Sequence, residues 1–342
     1  MNKTILITGA GGYIGSRFVE TLLKTNVNVI ALDRFFFGET LQDLATHKQL
    51  TIVKEDIRTV PPLLLKNVDT IIDLASISND PAAALNANIT KSINHQGPVS
   101  LATEAKKAGV EKYIFACSCS TYGAGEGIVN EESPLAPLSE YARSKINAEQ
   151  DLFALADDNF CVTSLRNATV YGKSVRRMRF DLIINIMTLH AWKKGRIIIM
   201  GGGKQWRPLI HIDDVIQAAI LVDQQTSLKK INKQAFNVGS NDQNFQVFQV
   251  ANALKTHFPS VVIEEIPDDP DQRSYHVNFD KIHQTLGYKT TKTIHDGIEE
   301  IKEALENGSI TDSPNTITVK YYQYLLEADT ILSKIKLNGN LF

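Results

Sequence analysis

A run of closely spaced glycines after a short apolar segment constrains the fold of this 342-residue chain more than any other feature. Thr4–Thr8 has the composition of a buried strand, and Ser16–Lys24 is compatible with a helix. Between them, Gly9 permits a tight turn, Gly12 lets backbone amides approach a phosphate, and Gly15 lets the helix pack closely on the strand. The pattern predicts a strand–turn–helix unit whose helix N-terminus faces the phosphates of a dinucleotide.

Short apolar runs alternate with longer amphipathic stretches through the first half of the chain. Because parallel strands need crossover connections, this rhythm predicts an α/β fold, a doubly wound parallel (Rossmann) sheet with helices on both faces. We expect residues 1–171, with returning segments near 205–240, to form the nucleotide-binding domain, and 172–204 with 241–342 to form a smaller C-terminal substrate-binding lobe. The predicted strands are Thr4–Thr8, Val27–Asp33, Leu50–Lys54, Thr70–Leu74, Tyr113–Ser118, Val162–Arg166 and a strand with its turn at Phe236–Gly239.

Four long helices are predicted from amphipathic spacing and from residues typical of helix ends. Gly109 is a natural C′ residue, because a left-handed backbone often ends a helix. The predicted helices are Leu85–Ala108, Ser139–Asp158, His211–Asp223 and, in the otherwise unassigned tail after Asp312, Tyr321–Lys334.

An acidic residue, Asp33, ends the second predicted strand, eighteen residues after Gly15. A carboxylate at this place accepts hydrogen bonds from the adenosine ribose hydroxyls and repels a 2′-phosphate. The sequence therefore predicts NAD as the cofactor. The neighbouring Arg34 leaves NADP open, because a guanidinium could accommodate the 2′-phosphate.

The charges of the chain nearly cancel, with 36 Lys and Arg against 38 Asp and Glu. No broad positive field is available to hold a polyanion, so we expect no nucleic-acid partner. No apolar segment approaches the length of a membrane span, and the N-terminus runs straight into a predicted strand. We therefore expect a cytoplasmic protein that does not bind a membrane.

Three cysteines, Cys117, Cys119 and Cys161, are too few for a disulfide framework, which favours a reducing compartment. Cys117 and Cys119 alternate along a predicted strand and should point to the same side. Two thiols without further ligands at suitable spacing make a poor zinc site, so no metal site is predicted. The simplest interpretation of Cys117 and Cys161 is that they are small buried hydrophobic residues.

A phenol and an ammonium, Tyr141 and Lys145, stand four residues apart on one face of a predicted helix. A free tyrosine with a pKa near 10 is a poor base at neutral pH. A neighbouring lysine and an oxidised nicotinamide both favour the phenolate and lower its pKa. Tyr141 could then take a hydroxyl proton while a hydride leaves the same carbon.

These motifs and several further segments resemble the extended short-chain dehydrogenase/reductase family of NAD-dependent epimerases and dehydratases. The glycines match its Gly-X-X-Gly-X-X-Gly turn, and Tyr141 with Lys145 matches its Tyr-X-X-X-Lys motif. Asp73 departs from the family, which often has His there, and we expect the consequence to be structural. The resemblance implies these cofactor-binding residues: Gly9, Gly12, Tyr13, Ile14, Gly15, Asp33, Asp56, Ile57, Leu74, Ala75, Ser76, Asn94, Tyr141 and Lys145.

The segment Phe115–Gly123 resembles the strand-end motif of the family, in which a Ser or Thr bonds the reacting oxygen. The resemblance implies that Ser118 has this role, with Ser120 and Thr121 as alternatives that could contact the substrate. The family's 4,6-dehydratases have an Asp-Glu pair after this residue, whereas this chain has Cys119 and Ser120, which disfavours dehydration. Cys119 could either exchange a proton beside a sugar carbonyl or simply be packed.

Downstream segments resemble the part of the family that binds a nucleotide-linked sugar. Arg166–Gly172 resembles an Arg-X-X-Asn-Val-Tyr-Gly element, with Thr169 at the place of the Asn. Arg207 matches an arginine that contacts the substrate diphosphate in the family, and Arg273 lies in the region of a second such arginine. Guanidinium groups are well suited to bind phosphate oxygens in pairs. Arg273 could instead form an ion pair with Asp268, Asp269 or Asp271, and Arg179, in the run Arg176–Asp181, could line the sugar pocket or belong to a solvated face.

The resemblance implies an enzyme that acts on a small-molecule nucleotide-sugar substrate with NAD. Epimerisation through oxidation and re-reduction at C4 is the leading hypothesis. A 4-dehydrogenase or 4-ketoreductase, a non-catalytic nucleotide sensor, and an enzyme of steroids or flavonoids are the alternatives. The family also commonly dimerises through the helices predicted at Leu85–Ala108 and Ser139–Asp158, so a homodimer is expected.

Overall fold

A computed structural model of the protein describes residues 2–267, 271 and 273–341. Strands and helices alternate through the first half of the chain, as the sequence predicts. The strands are β1 (Thr4–Thr8), β2 (Asn28–Asp33), β3 (Leu50–Lys54), β4 (Thr70–Asp73), β5 (Lys112–Ser118), β6 (Ala124–Val129), β7 (Cys161–Asn167), β8 (Thr169–Tyr171), β9 (Arg196–Met200), β10 (Trp206–His211), β11 (Gln234–Val238), β12 (Asn244–Gln246), β13 (Val262–Ile266) and β14 (Ser274–Val277). The helices are α1 (Tyr13–Leu22), α2 (Asp80–Ala83), α3 (Ala87–Lys91), α4 (Gly97–Ala108), α5 (Glu140–Leu155), α6 (Ile183–Lys194), α7 (Ile212–Gln224), α8 (Val247–His257), α9 (Asp280–Leu286), α10 (Ile294–Glu306) and α11 (Thr318–Ile335).

Seven strands form one parallel sheet in the order β11-β7-β5-β4-β1-β2-β3. Its central strands are rich in Val, Ile and Leu and are buried on both faces, as a parallel sheet covered by helices requires. The predicted α/β fold class is confirmed. The strand order reverses between β1 and β4, which opens a crevice at their carboxyl ends where doubly wound folds bind their ligands.

The predicted helix Leu85–Ala108 is interrupted, and this is a correction. A π-helical turn at Ser92–Gln96 separates α3 from α4. Pro98 stands in the first turn of α4, and its ring nitrogen has no hydrogen to donate to the turn before it, so the backbone widens there. The predicted end is confirmed, because Gly109 adopts a left-handed backbone with φ +84°.

Smaller sheets are formed mainly by strands that follow β7 in the chain, joined by β6. They have the strand orders β12-β10-β8, β13-β9 and β14-β6. Helix α10 packs against α6 and α8 beside them. Across the ranges that the structure describes, no helix is long and apolar enough to cross a membrane.

Candidate functional site

A cleft of about 630 Å³ opens at the carboxyl ends of the central strands. The glycine-rich turn after β1 forms one part of its wall, and the end of β5 with the first turn of α5 forms another. Arginines from the second half of the chain close the far side. Of the residues predicted to bind ligands, the cleft is lined by Gly9, Gly12, Tyr13, Ile14, Gly15, Asp33, Asp56, Ile57, Leu74, Ala75, Ser76, Ser118, Ser120, Tyr141, Thr169, Arg179, Arg207 and Arg273.

The turn after β1 can be formed only by glycines at two of its positions. Gly9 has φ +65°, and a Cβ there would lie 2.8 Å from the amide nitrogen of Ala75. A Cβ on Gly15 would lie 2.1 Å from the carbonyl oxygen of Gly9, so α1 could not pack so closely on the turn. Gly12 is the N-cap of α1 and directs the free amides of the helix into the cleft. This cradle fits the diphosphate of a dinucleotide.

Asp33 lies at the end of β2 and faces the cleft. Its carboxylate accepts hydrogen bonds from the backbone N–H of Gly11 (3.0 Å) and of Phe35 (2.6 Å). Burial raises the pKa of Asp33, and these two hydrogen bonds oppose that rise. Arg34 turns to Asp56, with 2.7 Å between Nη1 and Oδ2. The fixed carboxylate of Asp33 is suited to accept hydrogen bonds from the ribose hydroxyls of NAD. Arg34, which could have accommodated the 2′-phosphate of NADP, is instead paired with Asp56.

Asn94 was predicted to bind the cofactor, but the structure places it beneath the cleft wall. Its side chain is fully buried, accepts a hydrogen bond from the Ile77 N–H (2.8 Å) and donates one to the Ile77 carbonyl (3.0 Å). Asn94 therefore fixes the loop after β4 instead of lining the site. Asp73 is equally buried and accepts hydrogen bonds from the hydroxyls of Thr8 and Tyr113, both at 2.6 Å, which fits the structural role expected for it.

Tyr141 and Ser118 both line the cleft, and Ser118 lies close enough to lower the pKa of the Tyr141 phenol. Burial raises the pKa of Tyr141, and the charge of Asp80 adds to this rise, while Ser118 and Arg179 lower it. Lys145 lies below them, 2% exposed, and its Nζ donates to the carbonyl of Ala116 at 2.8 Å. Burial lowers the pKa of Lys145.

Two candidate site residues of the strand-end motif, Cys119 and Thr121, do not line the cleft. Cys119 follows β5 in a 3₁₀ turn, so it does not continue the alternation of Cys117 along the strand, and its thiol donates to the carbonyl of Arg166 at 3.1 Å. Burial raises the pKa of Cys119 well above its usual value, which disfavours the thiolate needed for proton exchange. The Thr121 hydroxyl is also buried and donates to the carbonyl of Ser118 (2.8 Å). Neither Cys119 nor Thr121 lines the cleft, so this geometry does not favour a catalytic Cys119 or a substrate-binding Thr121.

Besides Arg177 Nε, two buried polar atoms on the cleft wall have no hydrogen-bond partner among the described residues. They are Ser120 Oγ and Asn167 Oδ1. Both residues line the cleft near Thr169, where a bound molecule could complete their hydrogen bonds. The cleft wall therefore has unused hydrogen-bonding capacity at these two atoms.

Arg207 and Arg273 reach the cleft from β10 and from the segment before β14. Asp271 contacts both, at 2.9 Å from Arg207 Nη2 and 2.7 Å from Arg273 Nε. Arg273 also donates to Asp80, which accepts a further hydrogen bond from the hydroxyl of Ser139. The ion pair with Asp271 that the sequence left open is thus present, and both guanidinium groups still line the cleft. Two other acids suggested as partners, Asp268 and Asp269, lie outside the described residues.

The run Arg176–Asp181 is not a uniformly solvated face. Arg176 is bound on the surface by Asp43 (2.7 Å), whereas Arg177 and Arg179 are only 5% and 7% exposed and line the cleft. Arg179 Nη1 donates to the hydroxyl of Ser78 at 2.9 Å. The charge run therefore contributes two arginines to the cleft.

The comparisons with known proteins agree with this geometry. A sequence model of the NAD dependent epimerase/dehydratase family matches residues 5–239. The chain belongs to this family. Members of the family are NAD-dependent enzymes, and NAD fits the glycine cradle and Asp33 of this chain.

Relatives within the epimerase/dehydratase family act on nucleotide sugars, according to their names. An uncharacterised UDP-glucose epimerase of Bacillus subtilis, YtcB, is 32% identical over 64% of this chain and 72% of its own length. A dTDP-glucose 4,6-dehydratase of Streptomyces griseus is 28% identical over 87% of this chain and 92% of its own length. UDP-glucuronic acid decarboxylases also match.

Solved structures of other proteins share the fold. MoeE5 in complex with UDP-glucuronic acid and NAD has a TM-score of 0.78 at 25% identity, covering 89% of this chain and 99% of MoeE5. The UDP-glucuronic acid 4-epimerase of Bacillus cereus, also solved with NAD, has a TM-score of 0.79 at 23% identity, with the same shares covered. The predicted fold and cofactor are thus confirmed.

Sequence reasoning missed several residues on the cleft wall. Asp80 begins α2, where Asn79 caps the helix and Pro81 stands in its first turn; this start signal after β4 could have located it. Tyr322 lies on the predicted C-terminal helix but was not assigned to the site. Nothing in the local sequence connects that helix with the cleft, because the contact depends on chain segments far apart.

Proposed function

We propose that the chain is an NAD-dependent nucleotide-sugar epimerase, which inverts C4 of a nucleoside diphosphate hexose by oxidation and re-reduction. The observation that carries this proposal is that Tyr141 and Ser118 line the same cleft as the glycine cradle, with Ser118 close enough to lower the pKa of Tyr141. A UDP-hexose is the first candidate substrate, because several relatives are named for UDP-sugars.

Tyr141 is the proposed acid and base of the reaction. Its phenolate removes the proton of the C4 hydroxyl, and the same oxygen returns a proton when the alcohol is restored. Ser118 hydrogen-bonds the reacting oxygen and holds it beside the phenol. Lys145, anchored on β5, adds positive charge below this pair. NAD supplies the hydride acceptor and donor that this chemistry needs.

The remaining proposed contacts divide the cleft into a cofactor half and a substrate half. Arg207 and Arg273 bind the diphosphate of the substrate, and Arg179, Ser120 and Thr169 face the sugar. We assign residues 1–171 with 205–240 to the nucleotide-binding domain, and 172–204 with 241–342 to the substrate-binding lobe.

A 4,6-dehydratase is disfavoured although one relative has that name. Elimination of water needs an acid and a base beside the sugar. This chain has Cys119 and Ser120 where the family's dehydratases have the Asp-Glu pair that supplies them. A 4-dehydrogenase or 4-ketoreductase would have to exchange its cofactor during each cycle. A non-catalytic sensor would not need Ser118, Tyr141 and Lys145 together.

We also propose a cytoplasmic homodimer. All three cysteines, Cys117, Cys119 and Cys161, are free thiols, as in a reducing compartment. Helices α4 and α5 lie side by side, and His95 Nε2 contacts Asp151 Oδ2 at 2.6 Å between the two helical segments. This pair of helices offers the surface on which a second copy would complete a four-helix interface. The molar mass from light scattering tests this, and a monomer at micromolar concentration would contradict it.

The epimerase proposal is tested by incubating the purified enzyme with UDP-, GDP-, CDP- and dTDP-hexoses and following the sugar signals by NMR. We expect interconversion of C4 epimers without added NAD. Tyr141→Phe should retain cofactor while turnover falls by about 100-fold or more, because the phenol carries the proton. Turnover that consumes added NAD stoichiometrically, or unchanged turnover of Tyr141→Phe, would overturn the proposal.

A further inference from the structure

Arg177 is a buried cation on the cleft wall whose hydrogen bonds go to neutral oxygens. Nη1 donates to the carbonyl of Met178 (2.6 Å), and Nη2 donates to the hydroxyl of Thr318 (2.8 Å). Its Nε is buried without a hydrogen-bond partner among the described residues. A buried guanidinium is stable only when an anion or further hydrogen bonds offset its lost hydration. Arg177 is therefore suited to receive an anionic ligand from the cleft.

The surroundings of Arg177 belong to the cofactor half of the cleft. Its guanidinium carbon lies 3.8 Å from the ring centroid of Phe37, in the loop that follows Asp33. The electrostatic neighbours of Arg177 include Arg179, Asp181, Tyr322 and Tyr13, and Tyr13 is the first residue of α1, whose free amides face the cleft. Burial and the charge of Arg179 lower the pKa of Arg177 to about 10, so it stays charged at neutral pH.

The C-terminal helix α11 closes this side of the cleft. Tyr322 packs on Phe37 with 5.5 Å between ring centroids and meets Phe36 edge to face at 6.4 Å. Asn315, just before the helix, donates to the carbonyl of Phe37 at 3.3 Å. Thr318 and Tyr322 both line the cleft, and Tyr322 lies within electrostatic range of Asp33. The tail after Asp312 is thus fastened to the loop that follows the NAD-selecting carboxylate.

We propose that Arg177 and Tyr322 are cofactor-binding residues, with Arg177 binding the diphosphate of NAD and Tyr322 on α11 covering its adenosine half. The enzyme would then release NAD slowly and reuse it in successive turnovers. This inference rests on the cofactor assignment within the proposed function and extends it to two residues outside the glycine-rich turn. It also gives a role to the arginine run and to the tail, which the family motifs do not include.

The test measures how fast the full-length enzyme releases its cofactor. Enzyme loaded with NADH is mixed with excess NAD, and the loss of bound NADH fluorescence gives the dissociation rate. Arg177→Met should raise this rate about tenfold or more, because it removes a charge-assisted hydrogen bond. Tyr322→Ala should raise it by a similar factor, because it removes the aromatic cover.

Matched controls are available beside each residue. Arg176→Met removes a neighbouring arginine that is paired on the surface with Asp43, and Tyr324→Ala removes a tyrosine of α11 that is 62% exposed. Both controls should release NADH at the wild-type rate. Thermal melts of all four variants identify any that fail to fold, and Arg177→Lys, which retains the charge, should recover part of the slow release.

Two results would overturn the inference. The first is an unchanged dissociation rate in both Arg177→Met and Tyr322→Ala with intact melting transitions. The second is weaker binding of UDP to Arg177→Met at an unchanged NADH rate, which would assign Arg177 to the substrate. A wild-type enzyme that retains NAD but epimerises no nucleotide sugar would refute the proposed function and leave this inference standing.

Discussion

Tyr141 in the first turn of α5 and Ser118 at the end of β5 line the same cleft, and Ser118 lowers the pKa of the Tyr141 phenol. Strand β6 lies between the two residues in the chain, yet both line the same cleft. Burial raises the pKa of Tyr141, and the neighbouring Ser118 opposes that rise. Ser118 therefore tunes the proton affinity of the phenol as well as orienting the reacting oxygen.

Replacing Ser118 with Ala should move the acid limb of the pH profile to higher pH. The base is active only when deprotonated, so activity falls as the pH drops below its pKa. Without Ser118 the pKa of Tyr141 rises further, and a smaller fraction is deprotonated at neutral pH. The profile of kcat/KM against pH checks this, and it should be accompanied by a loss of kcat of about tenfold or more. An acid limb that stays in place would show that Ser118 does not act on Tyr141.

Replacing Cys119 with Ala should leave kcat within about threefold of wild type, because the thiol is buried on the far side of the strand end and does not line the cleft. Ser118→Ala, which changes a residue that does line the cleft, serves as the matched comparison. Epimerisation rates of the two variants at equal NAD content are the measurement. A collapse of activity in Cys119→Ala with normal melting behaviour would restore the catalytic thiol hypothesis.

Replacing Asp33 with Ser should reduce the preference for NAD over NADP. The carboxylate is fixed by the amides of Gly11 and Phe35, and its charge repels a 2′-phosphate. We expect the ratio of the two dissociation constants to shift toward NADP by about tenfold or more. Titration of the cofactor-free variant with each dinucleotide gives this ratio, and an unchanged preference would remove Asp33 from cofactor selection.

Replacing Glu149 with Gln should destabilise the fold without touching the cleft. Glu149 and Arg166 form a buried ion pair at 2.5 Å, with side-chain exposures of 5% and 6%. Removing one partner leaves an uncompensated buried charge, which costs about 3 kcal/mol of unfolding free energy. Glu104→Gln breaks an exposed pair with Lys107 and should cost only about 0.5 kcal/mol. Urea denaturation measures both, and equal losses would contradict the argument.

The first half of the fold could be predicted from the sequence because short apolar runs and a glycine-rich turn specify its strands locally. Strand boundaries at β1 and β3 agree with the predicted residues, since apolar runs and flanking polar residues define a buried parallel strand. The glycine-rich turn could also be predicted, because Gly9 needs a positive φ and Gly15 leaves no room for a side chain. The order of the motifs along the chain then indicated the family.

The tertiary structure decided which predicted residues reach the cleft. Cys119, Thr121 and Asn94 fit the sequence motifs, but each side chain hydrogen-bonds the backbone in the interior. Short-range patterns place a residue near a strand end without fixing the direction of its side chain, which depends on how the following turn packs. The π-helical turn at Ser92–Gln96 escaped prediction because an amphipathic pattern is almost unaffected by one widened turn.

Contacts between distant segments explain what the sequence by itself could not determine. The amphipathic pattern predicted a helix at Tyr321–Lys334, and the structure has one at Thr318–Ile335. Its docking on Phe37 and beside Arg177 depends on surfaces created only when the sheet and the second half of the chain have folded. Periodicity specifies which face of a helix is apolar, whereas only three-dimensional packing specifies what that face covers.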